Sequence, residues 1–286
     1  MDFRTEHPIP SFPFKIGYDD SLFFIGSCFS DHIGHFFESH RFKTCSNPYG
    51  TLFNPRSIAD NLLRSITLSP ISDQTICFFN NRFISFSHQG KINGDSKESF
   101  QNDLKELDLN IHHFLKNTDY LFITLGTAYC YKFIERDLIV ANCHKIPNHQ
   151  FEKLRLSVDE IVADYSVLIT KLKEFNPQIK IIFTVSPVRH LGDGFHENQI
   201  SKSILHIAIE QLKNLFELYY FPSYEIILDD LRDYRFFARD LCHPAENSVE
   251  YIQEMIMKSL MTSETIGALK EVEKNIKREN HKPIQK

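Results

Sequence analysis

The segment SLFFIGSCFS at residues 21–30 combines an apolar run with a polar turn. The run at residues 22–25 is typical of a short buried strand. Gly26 gives the backbone freedom to turn, and a helix is predicted at residues 31–40. Ser27 therefore lies on a tight turn from a strand into a helix, where its hydroxyl group could act on a bound molecule.

Strand-like and helix-like segments alternate along the rest of the chain. Apolar strands are predicted at residues 21–25, 42–46, 119–125, 179–185 and 224–228. Helices are predicted at residues 31–40, 55–66, 96–115, 157–175, 201–220 and 247–261. This alternation predicts an α/β fold in which a mainly parallel five-stranded sheet is covered on both faces. Two β-hairpins are predicted as insertions, at residues 75–86 around Asn80-Asn81 and at residues 129–140.

The composition indicates how the chain is divided into domains and which classes of partner are disfavoured. We predict one domain at residues 1–263 and a charged, Lys- and Glu-rich tail at residues 264–286, as a frayed helix or disorder. The net charge of −5 and the lack of a basic stripe disfavour nucleic-acid binding. No apolar run approaches the roughly 20 residues that span a bilayer, so no membrane partner is predicted.

The six cysteines are scattered without Cys-x-x-Cys spacing, which is typical of reduced thiols in the cytoplasm. The first residues also lack the charged-then-apolar layout of a secretory signal. We therefore expect a cytoplasmic protein that is a monomer or a weak homo-oligomer.

A polar motif follows each predicted strand. The motifs are Gly26-Ser27, residues 47–51, Gly126-Thr127-Ala128, residues 186–190 and the segment ending in His243. Open α/β sheets bind ligands outside the carboxyl ends of their strands, so these motifs are predicted to converge on one site.

Three residues form the minimum set for acyl transfer. Ser27 would attack, His243 would take its proton, and Asp240 would hold the imidazole in one tautomer. Pro244 favours a turn or extended backbone at His243, which keeps that side chain at a loop edge. The alternative for Ser27 is a helix N-cap, although Ser30 is predicted to cap the helix from residue 31. The alternative for Asp240 is to cap the backbone, with His243 incidental.

Each of the other motifs allows two interpretations. Gly50 and Gly126 either bring N–H groups to an oxyanion or permit tight turns. Arg189-His190 either binds a substrate anion or is a solvated pair. Asn142-Cys143-His144-Lys145 either contributes polar site residues or closes a loop through hydrogen bonds.

Cysteine-based chemistry is the remaining alternative. Cys28 is a conceivable thiol nucleophile, but it lies one residue away from the apex of the turn. The pairs Cys143-His144 and Cys242-His243 are candidate ligands for a zinc ion. Adjacent ligands about a hundred residues apart fit structural zinc poorly, so no metal is predicted.

At these motifs the sequence resembles the GSCFA family, named for the motif that residues 26–30 match except at Ser30. The resemblance continues through residues 47–51, 124–128, 142–145, 186–190 and 240–244, and covers roughly residues 20–260. The family in turn resembles the SGNH (GDSL-like) hydrolases, three-layer α/β/α esterases and lipases. The resemblance therefore implies an SGNH-like α/β/α sandwich.

The resemblance also implies roles for individual residues. Ser27 would be the nucleophile and, through its backbone N–H, an oxyanion donor, with Gly50 as second donor. Asp240 and His243 would complete the triad.

The sequence departs from the SGNH pattern at the third oxyanion donor. Ala128 stands where an Asn is expected, and Thr127 or Asn142 is the candidate substitute. Loss of one donor can cost about 10²–10³ in rate.

These features predict a serine esterase that cleaves a small acyl ester, such as an O-acyl group on a carbohydrate, and needs no cofactor. Two alternatives remain: a ligand-binding module that has lost turnover, and an acyltransferase that passes the acyl group to a sugar.

Overall fold

The computed structural model describes residues 4–280, whose strands form one large sheet and two small ones. The strands are β1 (Ser21–Gly26), β2 (Lys43–Ser46), β3 (Ile76–Phe79), β4 (Arg82–Ser85), β5 (Asn93–Gly94), β6 (Tyr120–Leu125), β7 (Tyr129–Phe133), β8 (Leu138–Val140), β9 (Phe151–Arg155), β10 (Lys180–Val185) and β11 (Tyr219–Tyr220). The helices are α1 (Cys28–Ser39), α2 (Pro55–Thr67), α3 (Lys97–Lys116), α4 (Val158–Phe175), α5 (Phe195–Leu215), α6 (Ser223–Glu225), α7 (Glu246–Leu260) and α8 (Ser263–Asn280).

The large sheet is parallel throughout and has the strand order β11-β10-β6-β1-β2. After β2 the chain crosses back to β6 on the other side of β1, so the strand order reverses between β1 and β6. Gly26 on β1 and Thr184 on β10 are both register partners of Thr124 on β6. The carboxyl ends of these three strands are therefore level, and open α/β sheets bind ligands at such a reversal.

Alternate residues of β1 enter opposite core layers because successive strand side chains point to opposite faces. Phe23 packs in the cluster that contains side chains of α2 to α5. Phe24 stacks on Phe122, with ring centroids 4.7 Å apart, in the cluster that contains side chains of α1, α7 and α8. Helices thus cover both faces of the sheet, and the predicted α/β/α sandwich with a parallel five-stranded sheet is confirmed.

The fifth strand is not where the sequence pattern placed it. The strand predicted at residues 224–228 is wrong, because this segment forms α6 and continues as a π-helix at Ile226–Asp230. Ile226 and Ile227 are both fully buried, and a short apolar run cannot by itself distinguish a strand from a buried helix. The fifth strand is the two-residue β11, and α5 begins at Phe195 rather than at residue 201.

The two small sheets are antiparallel insertions. Asn80 and Asn81 have φ values of 49° and 60°, so the predicted hairpin of β3 and β4 is confirmed with both turn residues in the left-handed region. The second predicted hairpin is formed by β7 and β8, and β9 adds to it as a third strand. Phe86, Phe133 and Phe151 pack together between the insertions.

Residues 263–280 of the chain form α8, and the buried Leu269 anchors this helix in the same cluster as Leu260. The part of the predicted tail at residues 281–286 lies outside the described residues. The domain boundary at residue 263 stays a prediction. Within residues 4–280, no helix is both long enough and apolar enough to cross a membrane.

Candidate active site

Ser27 lies at the N-terminus of α1, directly after β1. Gly26 has a φ of 139°, and a Cβ atom there would collide with the Thr124 carbonyl, so the turn requires glycine. Helix α1 begins at Cys28 with Ser27 as its N-cap residue, so the prediction of Ser30 as N-cap is wrong. The Ser27 side chain makes no capping bond, is 0% exposed and leaves Oγ without a hydrogen-bond partner.

Asn47 holds this turn in place, a role that the sequence interpretation missed. Its Oδ1 accepts a hydrogen bond from the Gly26 N–H at 2.8 Å, and its Nδ2 donates to Asp31 Oδ1 at 2.6 Å. Asn47 has a φ of 39°, which Asn tolerates better than most residues. The available signal was the turn sequence Asn-Pro-Tyr-Gly directly after a strand.

Both backbone donors that the resemblance implies are engaged within the protein. The Ser27 N–H donates to the Thr124 carbonyl at 3.1 Å, which extends the β1–β6 ladder by one residue. The Gly50 N–H donates to the Asn47 carbonyl at 2.7 Å and closes a turn. In this conformation neither N–H is free for a ligand, and their oxyanion roles stay predictions.

Asp240 and His243 are held together in one turn. Asp240 Oδ2 and His243 Nδ1 are 2.6 Å apart, and Asp240 Oδ1 accepts hydrogen bonds from the backbone N–H groups of Cys242 and His243. These hydrogen bonds hold the pKa of Asp240 well below its usual range, and the bond from the His243 N–H has the largest effect. An ionised Asp240 fixes Nδ1 of the imidazole as the donor and leaves Nε2 to face outward. Both side chains are about half exposed.

The segment after β10 fastens this turn to the sheet. The Arg189 N–H donates to the Cys242 carbonyl at 3.2 Å, and Arg189 Nη2 donates to the Leu241 carbonyl at 3.1 Å. Burial, together with the charges of Lys202 and His243, lowers the pKa of His190 to about 4. His190 is therefore neutral at pH 7.

A cavity of about 350 Å³ lies beside these loops. Thr127 and Asn142, the predicted substitutes for the third oxyanion donor, both line it, together with His190 and the aromatic residues Phe53, Tyr129 and Tyr131. Thr127 Oγ1 is 3.0 Å from Ser201 Oγ, and Asn142 Oδ1 accepts the His144 N–H at 2.7 Å. The structure thus brings Thr127 and Asn142 to one cavity.

The three triad candidates are not assembled in this conformation. Asp240 and His243 are in contact, but Ser27 Oγ has no hydrogen-bond partner, so the imidazole does not hydrogen-bond to it. None of the three side chains lines the 350 Å³ cavity.

A polar stripe on α5 is the second feature that the sequence interpretation missed. Asn198, Ser201 and Lys202 are all buried and face the loops after β6 and β10. Their spacing at i, i+3 and i+4 in front of the buried Leu205 is a signal that helical periodicity could have found.

The cysteine alternatives have little support. Burial raises the pKa of Cys28, whereas reactive cysteines have lowered pKa values. Burial also raises the pKa of Cys143 to about 11. Across the part of the chain that the structure describes, no group of three or more His, Cys, Asp or Glu side chains could hold a metal ion.

Comparison with known proteins places these residues in a known family. The model of the GSCFA family matches residues 21–255, which include Ser27, Asp240 and His243. No curated protein matched the chain in sequence.

Solved structures give more distant likenesses. A carbohydrate esterase family 3 protein from Talaromyces cellulolyticus is 11% identical, with a TM-score of 0.40 and coverage of 88% of this chain and 99% of that one. A catalytic mutant of an acetylxylan esterase from Geobacillus stearothermophilus is 13% identical, with a TM-score of 0.41 and coverage of 85% of this chain and 95% of that one. A putative GDSL-like lipase from Parabacteroides merdae is 15% identical, with a TM-score of 0.40 and coverage of 87% and 98%.

Proposed function

The chain belongs to the GSCFA family, and from that premise we propose that it is a serine esterase that cleaves a small acyl ester, with an O-acyl group on a carbohydrate as the substrate class. The observation that carries the proposal is the Ser27 hydroxyl group. It lies at the end of β1, at the strand-order reversal, and no protein group satisfies it.

A buried hydroxyl without a protein partner costs about 1–3 kcal/mol. Other hydroxyls in the described residues, such as those of Ser30 and Thr184, share this feature, so the support comes from the position of Ser27 after β1 together with its unused cap position. Ser27 occupies the N-cap position yet makes no capping bond, so its oxygen is not committed to the helix. The positive end of the α1 dipole favours negative charge at that place.

Asp240 and His243 supply the proton chemistry in this proposal. His243 Nε2 takes the proton of Ser27 Oγ as Oγ bonds to the acyl carbon, and the same proton then passes to the departing alcohol. Water, deprotonated by His243, then bonds to the acyl carbon; the acyl–Oγ bond breaks, the acid is released, and the proton passes from His243 to Ser27 Oγ. Each step requires Nε2 to come within about 3 Å of Oγ. The turn at residues 238–243 must therefore move toward Ser27, and its half-exposed position leaves room for that.

The 350 Å³ cavity would hold the alcohol side of the ester, because its aromatic and amide groups suit a sugar ring. Thr127 and Asn142 would contact the substrate there. Ser27 N–H and Gly50 N–H would donate to the oxyanion after release from the Thr124 and Asn47 carbonyls.

Hydrolysis of p-nitrophenyl acetate tests the proposal. We expect Ser27→Ala to reduce the rate to background and Ser30→Ala to leave it within a few-fold of wild type. Ser30 is a matched control, since its hydroxyl is also buried without a partner but lies inside the first turn of α1. Wild-type activity in Ser27→Ala would remove the proposal.

A ligand-binding module is the second candidate, favoured by the fully covered Ser27 side chain and by the occupied Ser27 and Gly50 N–H groups. It predicts tight ligand binding with neither a burst nor turnover across a panel of esters. Turnover that depends on Ser27 would exclude it.

A further inference from the structure

We propose that Lys202 is a positioning residue of the esterase reaction: its ammonium group ties together the ends of β6 and β10 and supplies positive potential beside Ser27. This inference rests on the proposed function. No part of the triad chemistry assigns a role to this lysine.

Lys202 makes two hydrogen bonds across the carboxyl edge of the sheet. Its Nζ donates to the Gly126 carbonyl at 2.6 Å and to the Ser186 carbonyl at 2.7 Å, which are the first residues after β6 and β10. The neighbouring Ser201 accepts the Ala128 N–H at 2.8 Å through its hydroxyl oxygen. One turn of α5 therefore fixes the loop where the third oxyanion donor is expected.

Lys202 is also a buried charge without a counter-ion. It is 1% exposed, and among residues 4–280 no carboxylate pairs with it. The titratable groups that face it are the Cys28 thiol, the imidazoles of His190 and His206, and the Tyr224 ring, whose centroid is 5.9 Å from Nζ. Since a buried, unpaired ammonium group is costly, its retention points to a role for the charge.

Ser27 lies within reach of this charge. The Ser27 N–H bonds to Thr124, two residues before the Gly126 carbonyl that binds Nζ. A strand rises about 3.3 Å per residue, so Nζ lies within about 12 Å of the Ser27 backbone. A positive charge at that distance, in the screened interior of a protein, would favour the oxyanion by about tenfold.

The charge of Lys202 is lost as the pH rises through neutrality. Burial lowers the pKa of Lys202 to about 7, so the ammonium group is complete below pH 6 and largely lost above pH 8. The contribution of Lys202 to kcat should fall over the same interval.

The test is the ratio of wild-type to Lys202→Met kcat for a p-nitrophenyl ester between pH 5.5 and 9. The ratio removes any pH dependence that the two proteins share. Lys213→Met, which removes an exposed lysine on the same helix, is the matched control. Lys202→Arg retains a charge that does not titrate below pH 12.

We expect a ratio of about ten or more at low pH that falls as the pH rises through 7, with KM changed by no more than about twofold. Lys213→Met should keep wild-type kcat, and Lys202→Arg should recover part of the activity without the alkaline decline. If Lys202→Met does not fold, the pH profiles of kcat for wild type and Lys202→Arg test the inference, because only the wild-type kcat should decline above pH 7. A ratio that is near one, or constant across pH, would overturn the inference while leaving the esterase intact. Full activity in Ser27→Ala would instead overturn the proposed function.

Discussion

Replacing Lys202 by methionine should change how the stability of the protein depends on pH. In the unfolded chain a lysine keeps its proton up to about pH 10.5, whereas burial lowers the pKa of folded Lys202 to about 7. Between these values the unfolded chain binds more protons than the folded one, so wild-type stability should rise with pH. At 1.36 kcal/mol per pH unit, the interval of about 3.5 units corresponds to about 5 kcal/mol in total.

Urea unfolding of wild type, Lys202→Met and Lys213→Met at one-unit steps from pH 6 to pH 10 measures this effect. The free energy of unfolding of wild type, minus that of Lys202→Met, should be flat below pH 6.5. It should then rise with a slope approaching about 1.4 kcal/mol per pH unit. The difference between wild type and Lys213→Met should show no such rise, because that lysine is solvated. If the difference in free energy of unfolding between wild type and Lys202→Met does not change with pH, the claim that Lys202 is buried with a lowered pKa is refuted.

Three further substitutions test separate parts of the structure. Asp240→Asn should lower kcat for ester hydrolysis by about 10²–10⁴-fold with little change in KM, because the amide no longer holds the imidazole; an unchanged kcat would contradict the triad. Asn47→Ala should lower the free energy of unfolding, measured in urea, by about 2 kcal/mol, because it leaves the Gly26 N–H buried without an acceptor; a loss below about 0.5 kcal/mol would count against that role. Ser157→Ala should cost about 1 kcal/mol and lower Tm by about 2–4 °C in calorimetry, because the capping box that opens α4 is lost, and an unchanged Tm would mean that the box contributes nothing.

Local patterns predicted much of the fold. The apolar run of β1 followed by Gly26 and the Asn80-Asn81 hairpin are both encoded within a few residues, and the structure confirms both. Asp240 and His243 belong to this class too, since a spacing of three residues in a turn was enough to predict their contact.

Features set by tertiary contacts could not be predicted in the same way. The apolar segment at residues 224–228 fits a strand or a buried helix equally well, and only packing against α1 and α7 decides between them. Helical periodicity places Lys202 on the same face of α5 as Leu205, but its hydrogen-bond partners after β6 and β10 are determined only when α5 packs on the sheet. The hydrogen bonds that occupy the Ser27 and Gly50 N–H groups depend on the positions of Thr124 and Asn47, which the sequence alone does not fix.

Intact-mass analysis after treatment with a fluorophosphonate probe tests directly whether the Ser27 hydroxyl, which has no hydrogen-bond partner, is a nucleophile activated by His243. We predict one adduct per chain, mapped to Ser27 by peptide sequencing, absent in Ser27→Ala and formed far more slowly in His243→Ala. Ser30→Ala should react like wild type. An adduct on another residue, or labelling of Ser27 at the same rate without His243, would contradict this prediction.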